Sequence, residues 1–160
     1  MRSTDLAYIA GVVDADGYVT ATMSTRKGRT YFGAQLGITG SDPAPHELAS
    51  ELFGGKVNVH RPAKNPKYKD QHHWQLGGTR AVEPIEALLP FLRIKQGRAR
   101  LVLDLQAALD EDRMFRSEGG VPWLPVGHDR TESYRALVQE IRAGRVLDGR
   151  TWDGYPGDAA

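Results

Sequence analysis

Residues 6–13, LAYIAGVV, form the longest apolar run of the chain, with acidic residues Asp5 and Asp14 on either side. Leu6, Ile9 and Val13 fall at helical spacing on one side of this segment, while Ala7, Gly11 and Ala15, four apart, share another. The pattern predicts a helix over residues 4–16, with Ser3 or Thr4 as N-cap, Asp5 in the first turn and Gly17 as the stop. After Gly17 the period becomes two. Val19, Ala21 and Met23 alternate with Thr20, Thr22 and Ser24; beyond the basic turn Arg26, Lys27, Gly28, Arg29, the residues Phe32, Ala34, Leu36 and Ile38 alternate with Tyr31, Gly33, Gln35 and Gly37. This is a hairpin with one apolar face.

Asp42 and Pro43 open a second helix, in which Pro45 is tolerated because the first four amides lack helical partners, and Gly54-Gly55 closes it. In the second hairpin Val57, Val59, Trp74 and Leu76 face inward, and Asn58, His60, His73 and Gln75 outward; its long connection holds Arg61, Lys64, Lys67, Tyr68 and Lys69. Helices over residues 79–89 and 96–109 follow on either side of a Pro90 break. An irregular stretch over 113–129, a helix over 131–143 and a Gly-rich, frayed tail after Asp148 complete the chain.

The order helix, two strands, helix, two strands, helices describes an α+β domain. Helices cover the apolar face of a four-stranded antiparallel sheet. The opposite face carries Thr20, Thr22, Ser24, Tyr31, Gln35, Asn58, His60, His73 and Gln75, with basic residues such as Arg26 at the hairpin tips. Such a surface is either ordinary solvated sheet or a reader of a nucleic-acid groove. Its mixed donors and acceptors, edged with cations, favour the reader.

Charge supports an anionic partner only locally, since 21 Lys and Arg against 20 Asp and Glu leave a net charge of +1. Residues 17–80 hold nine basic residues against four acids, residues 93–100 add four without an acid, and residues 101–118 hold two against five. With 160 residues, 40% hydrophobic, the chain fits one globular domain. No cysteine is present, which removes disulfides, thiolate nucleophiles and Cys-based zinc sites. The eight-residue apolar run is too short to span a bilayer, and Asp5, Asp14 and Asp16 spoil its likeness to a signal peptide. A soluble, cytoplasmic protein is expected, without membrane or small-molecule substrate.

The acidic end of the first helix carries the most chemistry. The helix dipole opposes Asp14 and Asp16 in the last turn by about 0.3–1 kcal/mol each when solvated. A hard divalent cation would compensate, magnesium needing only one or two carboxylates beside substrate phosphates; solvated acids beside a capping glycine are the alternative. Gly11 costs about 1 kcal/mol relative to Ala inside a helix. The small-residue stripe lets another backbone approach, from a second copy or from a helix of the same chain.

The segment IAGVVDADG, residues 9–17, resembles the signature of the LAGLIDADG homing endonucleases, and the alternation of helices and hairpins matches their αββαββα half-domain. FLRIKQ, residues 91–96, resembles the family's stretch that brings a lysine into the active site, and TESYRA, residues 131–136, resembles the start of a C-terminal helix in single-motif members. The resemblance implies an endonuclease domain over residues 1–147, with 148–160 as a flexible tail. It implies phosphodiester hydrolysis on both strands of a long, near-palindromic DNA target, with magnesium as cofactor, manganese substituting and calcium supporting binding only. Asp16 would be the catalytic metal ligand, the Ala15 carbonyl a further ligand, Asp14 structural, and Lys95 a stabiliser of charge near the scissile phosphate or an organiser of the hydrolytic water. One motif implies a homodimer joined through Ala7, Gly11 and Ala15, each subunit reading half a site, with Arg130 and Thr131 near backbone phosphates. Gly40 stands where several relatives carry an active-site glutamine, with Ser41 or Asp42 as substitutes nearby.

Other chemistries lack their residues. His46-Glu47 begins like a zincin, but Ser50 replaces the second ligand, and His72 and His73 face opposite ways on a strand. Walker loop and nucleophile elbow are absent. The competing readings are a non-cleaving DNA-binding regulator or RNA maturase of the same fold, and a purely structural helix-mediated dimer.

Overall fold

The computed structural model describes residues 1–62, 67–118 and 130–143. Along the chain run α1 (Ser3–Asp16), β1 (Gly17–Arg26), β2 (Arg29–Gly40), α2 (Pro43–Phe53), β3 (Val57–His60), β4 (Gln71–Gly77), a 3-10 turn (Gly78–Ala81), α3 (Val82–Leu88), α4 (Gln96–Glu118) and α5 (Thr131–Ala143). The strands form one antiparallel sheet in the order β1-β2-β4-β3. Lys27 and Gly28 both take positive φ, 50° and 73°, giving the two-residue turn whose twist suits the β1-β2 hairpin.

Alternation places every second side chain under the helices. Val19 pairs with Leu36, Leu36 with Leu76, and Ile38 with Trp74, so these apolar groups stack in rows across the sheet. Ile9 and Val13 of α1, Ile85 and Leu88 of α3, Val102 and Leu105 of α4, and Val138 and Ile141 of α5 close over them in one continuous core. Two polar groups within this layer are partnered across elements: Trp74 Nε1 donates to the Gly54 carbonyl at 2.8 Å, and the Ala34 amide, beyond the last β2-β4 pair, donates to Gln106 Oε1 at 2.9 Å.

Several boundaries differ from the sequence expectation. Neither Ser3 nor Thr4 caps α1; Arg2 occupies the cap without a side-chain bond, and the helix starts one residue early. The segment expected as one helix over 79–89 begins as a 3-10 turn, because Pro84 has no amide to bond back to Arg80 and is tolerated only in the first turn of α3. Helix α4 runs on to Glu118 rather than ending at Leu109, and this corrects the irregular reading of residues 113–118. Where the extension begins, Tyr134 of α5 donates to Asp112, and Arg130, just before α5, pairs with it at 3.4 Å. Val59 shares the inner face but is 46% exposed on short edge strand β3. Lys64, residues 119–129 and the tail lie outside the described residues. Asp42 caps α2 by accepting from the Ala44 amide at 3.0 Å, as its position before Pro43 predicts.

Candidate functional site

Helix α1 ends where β1 begins, with no intervening loop, so its last turn sits at the margin of the sheet. Gly17 makes this junction possible. A Cβ there would lie 2.7 Å from the Gly37 carbonyl oxygen and 2.8 Å from Val13 Cα, so the position requires close backbone approach rather than an unusual φ.

The two acids of the turn have different surroundings. Asp14 accepts three backbone amides from the segment before α4: Arg93 at 2.6 Å and Ile94 at 3.1 Å on Oδ2, and Lys95 at 2.9 Å on Oδ1. Lys95 reaches back, its ammonium donating to the carbonyls of Val13 at 2.6 Å, Asp14 at 2.8 Å and Gly17 at 2.9 Å. All three of its donors are thereby used. The cation also opposes the negative helix end. Burial pulls the Lys95 ammonium below the ordinary lysine value and Arg98 adds to this, while Asp14 and Asp16 oppose it. Asp16 is exposed and makes no hydrogen bond or ion pair among the described residues; Lys95 acts on it only through space. The Ala15 carbonyl belongs to the same unfinished turn and is not one of those that Lys95 takes. Among the described residues no three His, Cys, Asp or Glu side chains converge as a metal site.

Ala7, Gly11 and Ala15 lie along the exposed side of α1, with Tyr8 beside them at 50% exposure. A Cβ on Gly11 would meet nothing within 4 Å. The stripe is therefore free of packing against any other described helix of the chain.

The sheet register puts the expected polar residues on one surface. Thr20 pairs with Gln35, Ser24 with Tyr31, and Asn58 with His73, while Arg26 and Arg29 flank the hairpin tip and His60 pairs with Gln71. Thr22 shares this face and turns its hydroxyl inward along the sheet, donating to the Gly33 carbonyl at 3.2 Å. Tyr18 belongs there too, and the sequence reading missed it because it began the alternation at Thr20; counting back two residues finds it. Its hydroxyl lies 2.8 Å from His73 Nε2, and it donates to Gln75 Oε1 at 3.1 Å. Burial pushes the Tyr18 hydroxyl up, so it stays protonated and able to donate.

Two further expected positions separate. Arg130 is only 8% exposed and pairs with Asp112 in the helical layer, where its charge ties α4 to the start of α5. Thr131 is half-buried at the start of α5. Gly40 ends β2, paired with His72, and Asp42 is occupied as a cap.

No family model and no curated protein matches the sequence. Solved structures do. The homing endonuclease I-CvuI, in complex with the I-CreI target in the presence of magnesium, shares 21% identity over 92% of this chain and 86% of its own, with TM-score 0.62. I-CvuI with its own target and calcium shares 20% over 94% and 88%, with TM-score 0.64. The archaeal intron-encoded homing endonuclease I-Vdi141I, complexed with DNA, shares 13% over 94% and 90%, with TM-score 0.62. The similarity spans sheet and helices together, and the fold of this chain is that of the LAGLIDADG homing endonucleases.

Proposed function

We propose that this protein is a homodimeric, metal-dependent endonuclease that cuts both strands of a long, near-palindromic DNA site. The observation that carries the reading is the contrast within the last turn of α1: Asp14 is engaged by three amides, while Asp16, two residues on, holds out a carboxylate with no bonded partner among the described residues. The bare small-residue face of the same helix, rimmed by exposed Tyr8, suits a second copy whose α1 would bring a second Asp16 alongside.

One chain offers two hard oxygens, the Asp16 carboxylate and the Ala15 carbonyl, which fits magnesium shared with DNA phosphates rather than a cage built by the protein alone. Bound there, the ion would activate water and neutralise charge on the attacking and leaving oxygens, manganese serving likewise and calcium supporting binding. Lys95 orients the turn that presents Asp16. The outer sheet face binds duplex DNA, with Thr20, Gln35, Asn58 and Gln75 among the base readers and Arg26 near phosphates.

The supporting experiment is incubation with magnesium and a DNA fragment carrying the intron-free form of the encoding locus, followed by mapping of the ends. Paired breaks at one site, lost in Asp16→Asn, support the reading. Specific binding without breaks moves the assignment to the non-cleaving regulator or maturase, which the bare Gly40 position favours.

A further inference from the structure

The outer face contains one hydrogen-bonded chain that crosses three strands. Tyr18 leans over Gly37, where a Cβ would sit 2.4 Å from its hydroxyl, and so reaches from β1 across β2 to β4. There the hydroxyl meets His73 Nε2 at 2.8 Å and donates to Gln75 Oε1 at 3.1 Å; Gln35 Nε2 donates to the same Gln75 oxygen at 3.0 Å. A phenol has a single proton. Gln75 Oε1 can only accept, so with His73 in the tautomer that carries hydrogen on Nε2, the imidazole donates to the Tyr18 oxygen and the phenol proton goes to Gln75. Gln75 Oε1 then has both lone pairs taken. What this exposed glutamine has left to offer outward is its amide nitrogen. Ordering two glutamines on a merely solvated surface would cost about 1–2 kcal/mol of side-chain entropy each for bonds that water replaces nearly as well.

We propose that Tyr18 is a positioning residue for DNA specificity: by holding the Gln75 carbonyl inward, it makes Gln75 a pure donor and selects an acceptor edge, guanine O6 and N7 or thymine O4, in the major groove. An unrestrained glutamine prefers adenine, where it accepts from N6 while donating to N7. With its oxygen occupied, Gln75 loses the accepting half of that pair. The inference rests on the DNA-binding reading and adds to it which base class one position takes and why.

The test is selection of bound duplexes from a randomised half-site pool in calcium, with thermal unfolding of each variant beside it. Wild type should enrich guanine or thymine at one pair per half-site. Tyr18→Phe keeps the ring over Gly37 and removes only the hydroxyl; it should unfold near the wild-type temperature, yet cut the preference against adenine at that pair about tenfold while leaving other pairs unchanged. Gln75→Glu can still accept the inward bonds through one oxygen but presents the other outward, and should turn the preference to cytosine N4. Sequence enrichment by wild type with identical preference in Tyr18→Phe overturns this inference alone, as does continued guanine or thymine preference in Gln75→Glu. A wild type that enriches no sequence overturns the DNA-binding reading with it.

Discussion

Asp14 and Lys95 clasp each other through the backbone: the Asp14 carboxylate accepts the Lys95 amide at 2.9 Å, and the Lys95 ammonium donates to the Asp14 carbonyl at 2.8 Å. The pair works like a reciprocal cap, joining the C-terminal end of α1 to the N-terminal approach of α4. Its loss leaves backbone groups of both elements unpartnered. Asp14→Asn should lower stability by about 2 kcal/mol and Lys95→Met by about 2–3 kcal/mol, read as a fall in urea midpoint at constant m-value. A Lys95→Met protein with the wild-type midpoint and slowed strand scission would show instead that the ammonium leaves the carbonyls for the phosphate.

Asp16→Asn should leave folding and specific DNA binding intact and abolish cleavage. The side chain is exposed and makes no hydrogen bond or ion pair among the described residues, so the substitution removes a charge without opening a core. Single-turnover cleavage of a labelled duplex in magnesium, with calcium as the binding-only arm, measures both quantities. Undiminished cutting would remove Asp16 from the mechanism.

Gly11→Leu should separate the subunits without unfolding them. No atom lies within 4 Å of the added Cβ, and leucine is about 1 kcal/mol better than glycine inside a helix. Light scattering at micromolar concentration should therefore report a monomer with undiminished secondary structure, and cleavage should vanish. A Gly11→Leu dimer with full activity would place the interface elsewhere.

Arg130→Ala should act on stability rather than on DNA affinity. The guanidinium is buried and pairs with an Asp112 carboxylate whose side chain is itself 13% exposed, so truncation strands a largely desolvated charge and costs about 3 kcal/mol. Urea unfolding measures the loss. The salt slope of DNA binding should stay unchanged, whereas a slope reduced by about one would return Arg130 to the phosphate backbone.

His46 predicts an acid limit. Its ring is buried between α2 and the sheet, with Nδ1 2.8 Å from the Asp42 carbonyl; burial pulls the imidazole below its ordinary value, the Asp42 carbonyl opposes this, and His72 and His73 reinforce it. The unfolded chain therefore takes up a proton near pH 6.5 while the folded protein resists it, so His46 favours folding above that pH and destabilises progressively below it. His46→Gln should flatten the decline in melting temperature between pH 6.5 and 5. An unchanged decline would assign it to other groups.

The periodicities alone carried most of the architecture. A period of two from Val19 to Ile38 and again around Trp74 determines which residues are buried, because a strand has only two faces, and IAGVVDADG determines that two acids end a helix beside a glycine. What the linear pattern left open depended on contacts between distant segments. Nothing near Leu109 announces that α4 continues, since Asp112 just beyond it is held by Arg130 and by Tyr134 of α5. Arg130 looks like any surface cation until Asp112 is found beside it. Asp14 and Asp16 are chemically identical neighbours, and only the arrival of residues 93–95 satisfies one and leaves the other exposed. Tyr18, Gln35, His73 and Gln75 each read as a separate polar position on a strand; their common hydrogen-bond direction exists only because the order β1-β2-β4 brings them together across a glycine. Local pattern decides which face a side chain takes, while pairing between strands and helices far apart in sequence decides which groups are left free to act.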